Sequence, residues 1–320
     1  IYLSLCAYIN ICMKLLLTGS SGFIGQHLTP NLGKNFELYH LNSNLLDHPA
    51  VCYEIDSIKP DIIVHLAART EVEKSFYEQI IFQDVNYVGT VNLIEAASRL
   101  KNLKNFIFAS TMEVYGWQQI SDEVQKNIIP KEFLAFDENT HPNPNAPYAV
   151  AKYASEKYLL YAHRCLGFPF TALRQTNCYG RKDNNFFVTE QIISQMIANP
   201  EEINLGYAEP YRNFIYIDDM MTCWEEVIQN HDKCNDGKIF TIGPNDPIKI
   251  RDHAIKIGKK MDWQGKINWN QKPERPGEIY WLNSNNNLIT DTLGWRPKTS
   301  LDDGLDKTID TLQRLKNETY

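Results

Sequence analysis

Short apolar runs alternate with amphipathic stretches through the first half of the chain. Lys14 to Leu17, Glu37 to Leu41, Asp61 to Leu66, Asn105 to Ala109 and Phe170 to Arg174 read as strands, apolar enough to be covered on both faces of a parallel sheet. Between them the apolar spacing predicts helices over Phe23 to Leu32, Ala50 to Ile58, Gln83 to Leu100 and Tyr148 to Leu166. Lys59-Pro60-Asp61 separates a helix from a strand, because the residue before a proline is pushed out of helical conformation. Strand and helix in regular alternation predict an α/β fold, a doubly wound parallel sheet of Rossmann type.

The alternation stops after Gly180. A helix is predicted over Phe186 to Asn199, a return to the main body over Phe214 to Asn230, and a smaller C-terminal lobe from Ile248 onward. Gly116 to Pro147 is a long connection ending in a Pro/Asn-rich turn, and so long a segment in a compact domain is expected to be a lid or an interface element. Ile1 to Cys12, IYLSLCAYINIC, is apolar, but it is too short to span a bilayer and lacks the basic flank and small-residue cleavage site of a signal peptide. It is read as an upstream or non-native extension ahead of Met13-Lys14, with a peripheral membrane contact as the alternative.

A chain of 320 residues can bury one large core or two. The net charge is −7 and no basic run occurs, which argues against a nucleic-acid partner and means that any bound anion must be held by individual arginines. Seven cysteines are scattered with no C-x-x-C pair and no His/Cys cluster of zinc spacing, so no metal site is expected and a reducing, cytoplasmic location is. Cys178 has no evident base beside it and is expected to pack rather than react.

Candidate chemistry concentrates in two places. Directly after the first strand, Gly19, Gly22 and Gly25 stand in TGSSGFIG, where a turn must open a helix. Glycines there let the backbone approach a pyrophosphate, whose charge is favoured at a helix N-terminus. Tyr148 and Lys152, four apart in YAVAK, lie on one helix face, so an ammonium can sit near a phenol and favour its ionised form. A phenolate that accepts a hydroxyl proton while hydride passes to a nicotinamide is the chemistry such a pair serves.

With HLAAR at His65 to Arg69, STMEVYG at Ser110 to Gly116, RNFIYIDD at Arg212 to Asp219, RPGE at Arg275 to Glu278 and LGWRP at Leu293 to Pro297, these motifs resemble the extended short-chain dehydrogenase/reductases that act on nucleotide sugars. The match runs from about Met13 to the C-terminus. It implies a cofactor-binding Rossmann domain over residues 13–180, with returning segments at about 214–245, and a mainly substrate-binding lobe over 181–320. It implies bound NAD, with NADP the alternative, near Gly19, Gly22, Phe23, Ile24, Gly25, Asn44, Leu45, Leu66, Ala67, Ala68, Ser110, Tyr148 and Lys152. No arginine occurs between Gly19 and Arg69 to greet the extra phosphate of NADP, and neither does the usual acidic residue follow the second strand.

The same resemblance makes Thr111 the hydroxyl partner of Tyr148 and Lys152, and Glu113 the residue that distinguishes reactions. Sugar 4,6-dehydratases place a Glu two after the catalytic Thr, where it removes the carbon-5 proton once carbon 4 is a ketone. Met112 departs from the Thr-Asp-Glu pattern of one subfamily and leaves the acid–base burden on Glu113. LGYAEPYRNF at Leu205 to Phe214 and FVTEQI at Phe187 to Ile192 are similar to dehydratase segments, and Leu282-Asn283-Ser284 stands where decarboxylases carry Arg-Lys-Pro. Asn177, Thr189, Arg212 and Arg275 are the implied substrate ligands, the arginines for the diphosphate. The implied activity is a nucleotide-sugar 4,6-dehydratase acting on a nucleotide-diphosphate sugar as a homodimer. A 4-epimerase or 4-keto-reductase is the alternative, and a decarboxylase or inactive cofactor-binding scaffold the more distant one.

Overall fold

The computed structural model describes residues 12–118, 134–182, 186–272 and 275–318. The extension before residue 12 and the middle of the long connection, 119–133, lie outside the described residues.

Along the chain run β1 (Lys14–Thr18), α1 (Phe23–Asn35), β2 (Glu37–His40), α2 (His48–Ile58), β3 (Ile62–His65), α3 (Val72–Ser75), α4 (Gln79–Gln83), α5 (Gly89–Ala97), β4 (Asn105–Thr111), α6 (Pro147–Leu166) and β5 (Phe170–Gln175). With β6 (Asp236–Ile242) the strands form one sheet in the order β6-β5-β4-β3-β1-β2, every neighbouring pair parallel. The doubly wound fold expected from the alternation is therefore present.

Successive side chains on a strand face opposite ways, and the core divides accordingly. Leu15, Leu17, Ile62, Val64, Ile107 and Leu173 face the layer of α1 and the later helix α8 (Ile217–Gln229). Leu16, Ile63, Phe106, Phe108, Phe170 and Ala172 face α2, α5 and α6. The chain order reverses between β1 and β3, which are paired Thr18 to His65 at their carboxyl ends. A crevice opens outside such a switch point, and ligands of open α/β sheets sit there.

A third cluster joins α7 (Val188–Ala198), α9 (Ile250–Lys260) and α11 (Leu301–Glu318) through Ile192, Ile193, Ala254, Ile257, Leu305 and Ile309. The chain shuttles between these bodies: α8 packs against α1, and α10 (Asn287–Leu293) brings Ile289 and Trp295 back onto the main core.

Two helices depart from the sequence expectation. α2 starts at His48 rather than Ala50, because Asp47 caps it, its carboxylate accepting from the Ala50 N–H at 3.1 Å. The stretch expected as one helix over Gln83 to Leu100 begins at Gln79 and is interrupted by a π turn over Asp84–Val88. That turn aims Asn86 inward, where its amide accepts from the Arg69 N–H at 2.8 Å and donates to the Arg69 carbonyl at 2.9 Å.

Candidate active site

The floor of the crevice is set by residues that never reach a ligand. His65, buried at the end of β3, is bridged by Thr18 Oγ1 at 2.7 Å and Thr90 Oγ1 at 2.9 Å. Burial holds its imidazole down at a pKa of about 3, with Lys152 acting in the same direction, so it stays neutral. Thr18 Oγ1 also accepts from the Ala67 N–H at 3.1 Å, which fixes the turn after β3 beside the glycine turn after β1. These turns touch so closely that a Cβ on Gly19 would lie 2.6 Å from the Ala67 nitrogen, and one on Gly25 would lie 2.3 Å from the Gly19 oxygen. Gly19 also has a positive φ of 71°. No side chain caps the start of α1 at Gly22, so its first amides are left for another partner.

The register of α6 is fixed from inside. Glu156 lies wholly buried, accepts from Ser110 Oγ on β4 at 2.5 Å and pairs bidentately with Arg174 of β5 at 3.0 and 2.8 Å. Arg174 donates in turn to the Tyr115 hydroxyl at 3.1 Å. One turn earlier on α6, Lys152 is buried and donates to the Ala109 carbonyl at 2.7 Å, its ammonium lying over the Phe108 ring. Burial lowers its pKa to about 7 against the pull of Glu156. Another turn earlier stands Tyr148.

Tyr148, Thr111 and Glu113 meet above the carboxyl end of β4. Thr111 Oγ1 accepts from the Glu113 N–H at 3.2 Å, which starts a short 3₁₀ turn, Met112–Tyr115, and leaves the hydroxyl proton for the phenol of Tyr148. The phenol is raised well above its usual range: burial is the main cause, the hydrogen bond from Thr111 works against it and the Glu113 carboxylate adds to it. Lys152, bonded to the Ala109 carbonyl, is not among the groups that act on the phenol. Met112 is buried and cannot exchange a proton.

Across the crevice, Arg212 and Arg275 converge on one carboxylate. Arg212 Nη2 donates to Glu278 at 2.7 Å, and Arg275 grips the same group through Nε and Nη2 at 2.9 and 2.7 Å. Burial alone would raise the Glu278 pKa, but the two guanidinium groups hold it below its ordinary range. Arg212 Nη1 is further tied to the carbonyls of Tyr211 and Ile279.

Thr111, Glu113, Tyr148, Lys152, Arg212, Arg275 and Glu278 line one cavity of about 950 Å³. Of the residues singled out from sequence, Gly19, Gly22, Phe23, Ile24, Gly25, Leu66, Ala67, Ala68, Ser110, Thr111, Glu113, Tyr148, Lys152, Asn177, Arg212 and Arg275 face it. Three do not. Thr189 is buried on α7, hydrogen-bonded at 2.9 Å to His253 Nε2. Leu45 packs into the core, against the backbone side of Gly89, and Asn44 turns its amide oxygen back on the Leu46 N–H at 3.0 Å. Cys178 lines the cavity with its thiol pushed up to about 12, chiefly by burial, as suits a packing residue. Glu278 and Arg181 also line it but carried no role in the sequence, although Glu278 stood inside the quoted RPGE. Among the described residues no His/Cys/Asp/Glu group could hold a metal ion, and no helix is long and apolar enough to cross a membrane.

Comparison with known proteins places this arrangement. Residues 29–308 match the family model described as GDP-mannose 4,6 dehydratase. A dTDP-D-glucose 4,6-dehydratase of Dictyostelium discoideum is 27% identical over 358 residues, covering 92% of this chain and 80% of the relative. Two solved structures share the fold. The UDP-glucose 4-epimerase of Thermotoga maritima, solved with UDP-glucose, has a TM-score of 0.82 at 24% identity, covering 95% of this chain and all of that one. DesIV, a dTDP-glucose 4,6-dehydratase of Streptomyces venezuelae solved with NAD, has a TM-score of 0.80 at 21% identity, covering 96% of this chain and 98% of that one.

Proposed function

Because the chain belongs to the GDP-mannose 4,6-dehydratase family of extended short-chain dehydrogenase/reductases, we propose that it is a nucleotide-sugar 4,6-dehydratase, converting a nucleotide-diphosphate sugar to its 4-keto-6-deoxy form with bound NAD. The observation that carries this reading is Glu113, a carboxylate on the cavity wall two residues from Thr111 and near enough to Tyr148 to raise its pKa.

The glycine turn fits a dinucleotide: its backbones approach too closely to admit a Cβ at Gly19 or Gly25, and the uncapped start of α1 offers amides to a diphosphate. Support for NAD over NADP comes from the turn after β2. There Glu54 of α2 accepts from the Ser43 hydroxyl at 2.6 Å and from the Asn42 and Ser43 amides at 2.9 and 2.8 Å. Partial burial works against it, yet these hydrogen bonds keep its pKa below the usual carboxylate value. A negative charge at this turn opposes a 2′-phosphate.

When bound, the nicotinamide supplies a hydride acceptor and donor. Tyr148 in its phenolate form would accept the proton of the carbon-4 hydroxyl and become a neutral phenol, with Thr111 donating to the phenolate oxygen until that proton arrives. Lys152, on the same helix face, orients the cofactor ribose and supplies positive charge. Glu113 would then remove the carbon-5 proton and deliver it to the departing carbon-6 hydroxyl as water, leaving an alkene that takes a hydride at carbon 6 and a proton at carbon 5, the second proton handed back by Glu113 or Tyr148. Arg212 and Arg275 hold the substrate diphosphate, with Asn177 beside them, and Glu278 keeps both forks aligned until it arrives. The cofactor domain is residues 13–180 with the returning segments, and the substrate lobe the remainder.

We place the enzyme in the cytosol as a homodimer. Six cysteines are free among the described residues, and exposed apolar side chains gather on adjoining helices α4 and α6. The function is tested by incubating the protein with UDP-, GDP-, dTDP- and CDP-sugars and weighing the products. Loss of one water from a member of the panel is expected; a mass-neutral stereoisomer would make the protein an epimerase, and a net demand for added reduced cofactor a reductase.

A further inference from the structure

Arg181 stands outside every role given so far, yet it is the most elaborately held cation on the cavity wall. It follows Gly180 directly, is buried, and lies between two aromatic rings, its guanidinium carbon 4.3 Å from the centroid of Phe23 and 3.7 Å from that of Phe187. Phe23 is the first residue of α1 and adjoins the uncapped Gly22, so this sandwich spans from the glycine turn to the start of α7.

The remaining contacts stiffen the arrangement and pair the guanidinium with one buried carboxylate. Nη1 donates to the Cys178 carbonyl and lies 3.6 Å from Glu190 Oε1. That same oxygen is already accepting the Gly180 and Arg181 amides at 2.8 and 3.0 Å. Nε and Nη2 have no hydrogen-bond partner among the described residues. Stacking leaves the edge of a guanidinium, where its N–H groups point, available to a planar or tetrahedral oxyanion. Glu190 Oε1 is shared among this cation and two amides, so the buried guanidinium and the adjoining helix start together still favour a further anion. The other cationic pair of the cavity, Arg212 and Arg275, is centred on Glu278 and serves the substrate side.

We propose that Arg181 is a ligand of the dinucleotide's own diphosphate, closing over it from the side opposite the glycine turn. This rests on the reading of the cavity as a cofactor site. Because Arg181 is anchored to α7 through Phe187 and Glu190, the cofactor diphosphate then ties the substrate lobe to the main domain, and its bound state is tight without any arginine in the turn after β2.

The test is calorimetric binding of ADP-ribose, which carries the diphosphate and no nicotinamide, to the full chain freed of nucleotide. For Arg181→Met the affinity is expected to fall about tenfold or more, with a shallower dependence on salt than wild type. An affinity within threefold of wild type overturns the proposal. Arg181→Lys keeps the charge and loses the planar fork. A folded Arg181→Lys that binds ADP-ribose several-fold more weakly supports the proposal even where Arg181→Met fails to fold; wild-type affinity in Arg181→Lys overturns it. Wild type that binds no ADP-ribose removes the cofactor reading and this inference with it, whereas tight wild-type binding with an indifferent Arg181→Met removes this inference alone.

Discussion

His65 illustrates how a residue that touches no ligand can still hold an active site. Its ring, bridged by two threonine hydroxyls, is held neutral at about pKa 3 by burial and by the nearby Lys152 charge, against an ordinary value of 6.5. Between those two values the unfolded chain takes up a proton that the folded chain refuses, so folding stability falls as pH drops from about 6.5 towards 3. The slope from this one site is about 1.4 kcal/mol per pH unit. In His65→Gln that part of the acid sensitivity should vanish, while His253, held down in the same way, keeps its own. Urea unfolding of both proteins at pH 4.5 and 7 measures it; an equal pH dependence in the two would contradict the assignment. Such a role was not legible in the HLAAR motif, because the burial comes from the fold and the two threonines that bridge the ring come from β1 and α5, far apart in sequence.

At the scale of elements, the strands were readable because buried parallel strands are continuous apolar runs, and β1 to β5 lie where those runs do. The π turn at Asp84–Val88 was not, since one extra residue in a helical turn leaves the apolar spacing nearly unchanged. Its consequence is specific: Asn86 supplies a donor and an acceptor to the backbone of Arg69, and its own carbonyl accepts from Ser155 Oγ at 3.0 Å and from Thr90 Oγ1 at 2.7 Å. The turn thereby joins α6, which carries Tyr148 and Lys152, to the loop that lines the cavity. Asn86→Ala leaves two part-buried backbone groups of Arg69 unpaired and should cost about 1–3 kcal/mol. The thermal midpoint should drop and the affinity for NAD should fall with it; a variant as stable as wild type would show that water or another side chain replaces the amide. The glycine turn and YAVAK were legible for the opposite reason: each is a local constraint written in a few adjacent residues. Arg181 and Glu278 become meaningful only through partners brought in by the tertiary fold.

At the scale of the whole molecule, the face formed by α4 and α6 leaves Ile80 at 78% exposure, with Ile81, Val88, Val150 and Tyr161 also exposed nearby. A patch of this kind on a two-helix face suits an isologous contact with a second copy. Sedimentation should give a dimer at micromolar concentration and a monomer for Ile80→Asp. A wild-type monomer would contradict the assembly while leaving the chemistry of the cavity intact, because the residues proposed to act there come from one chain. The proposed chemistry divides oxidation from elimination, with Thr111, Tyr148 and Lys152 assigned to the first and Glu113 to the second. The most direct measurement is therefore a single turnover of Glu113→Gln on the substrate that wild type dehydrates, followed by nicotinamide absorbance and product mass together. Reduced cofactor should appear while water loss is cut at least tenfold, equivalent to about 1.4 kcal/mol of barrier. Water loss at close to the wild-type rate would show that another group takes the carbon-5 proton and that Glu113 does not define the reaction.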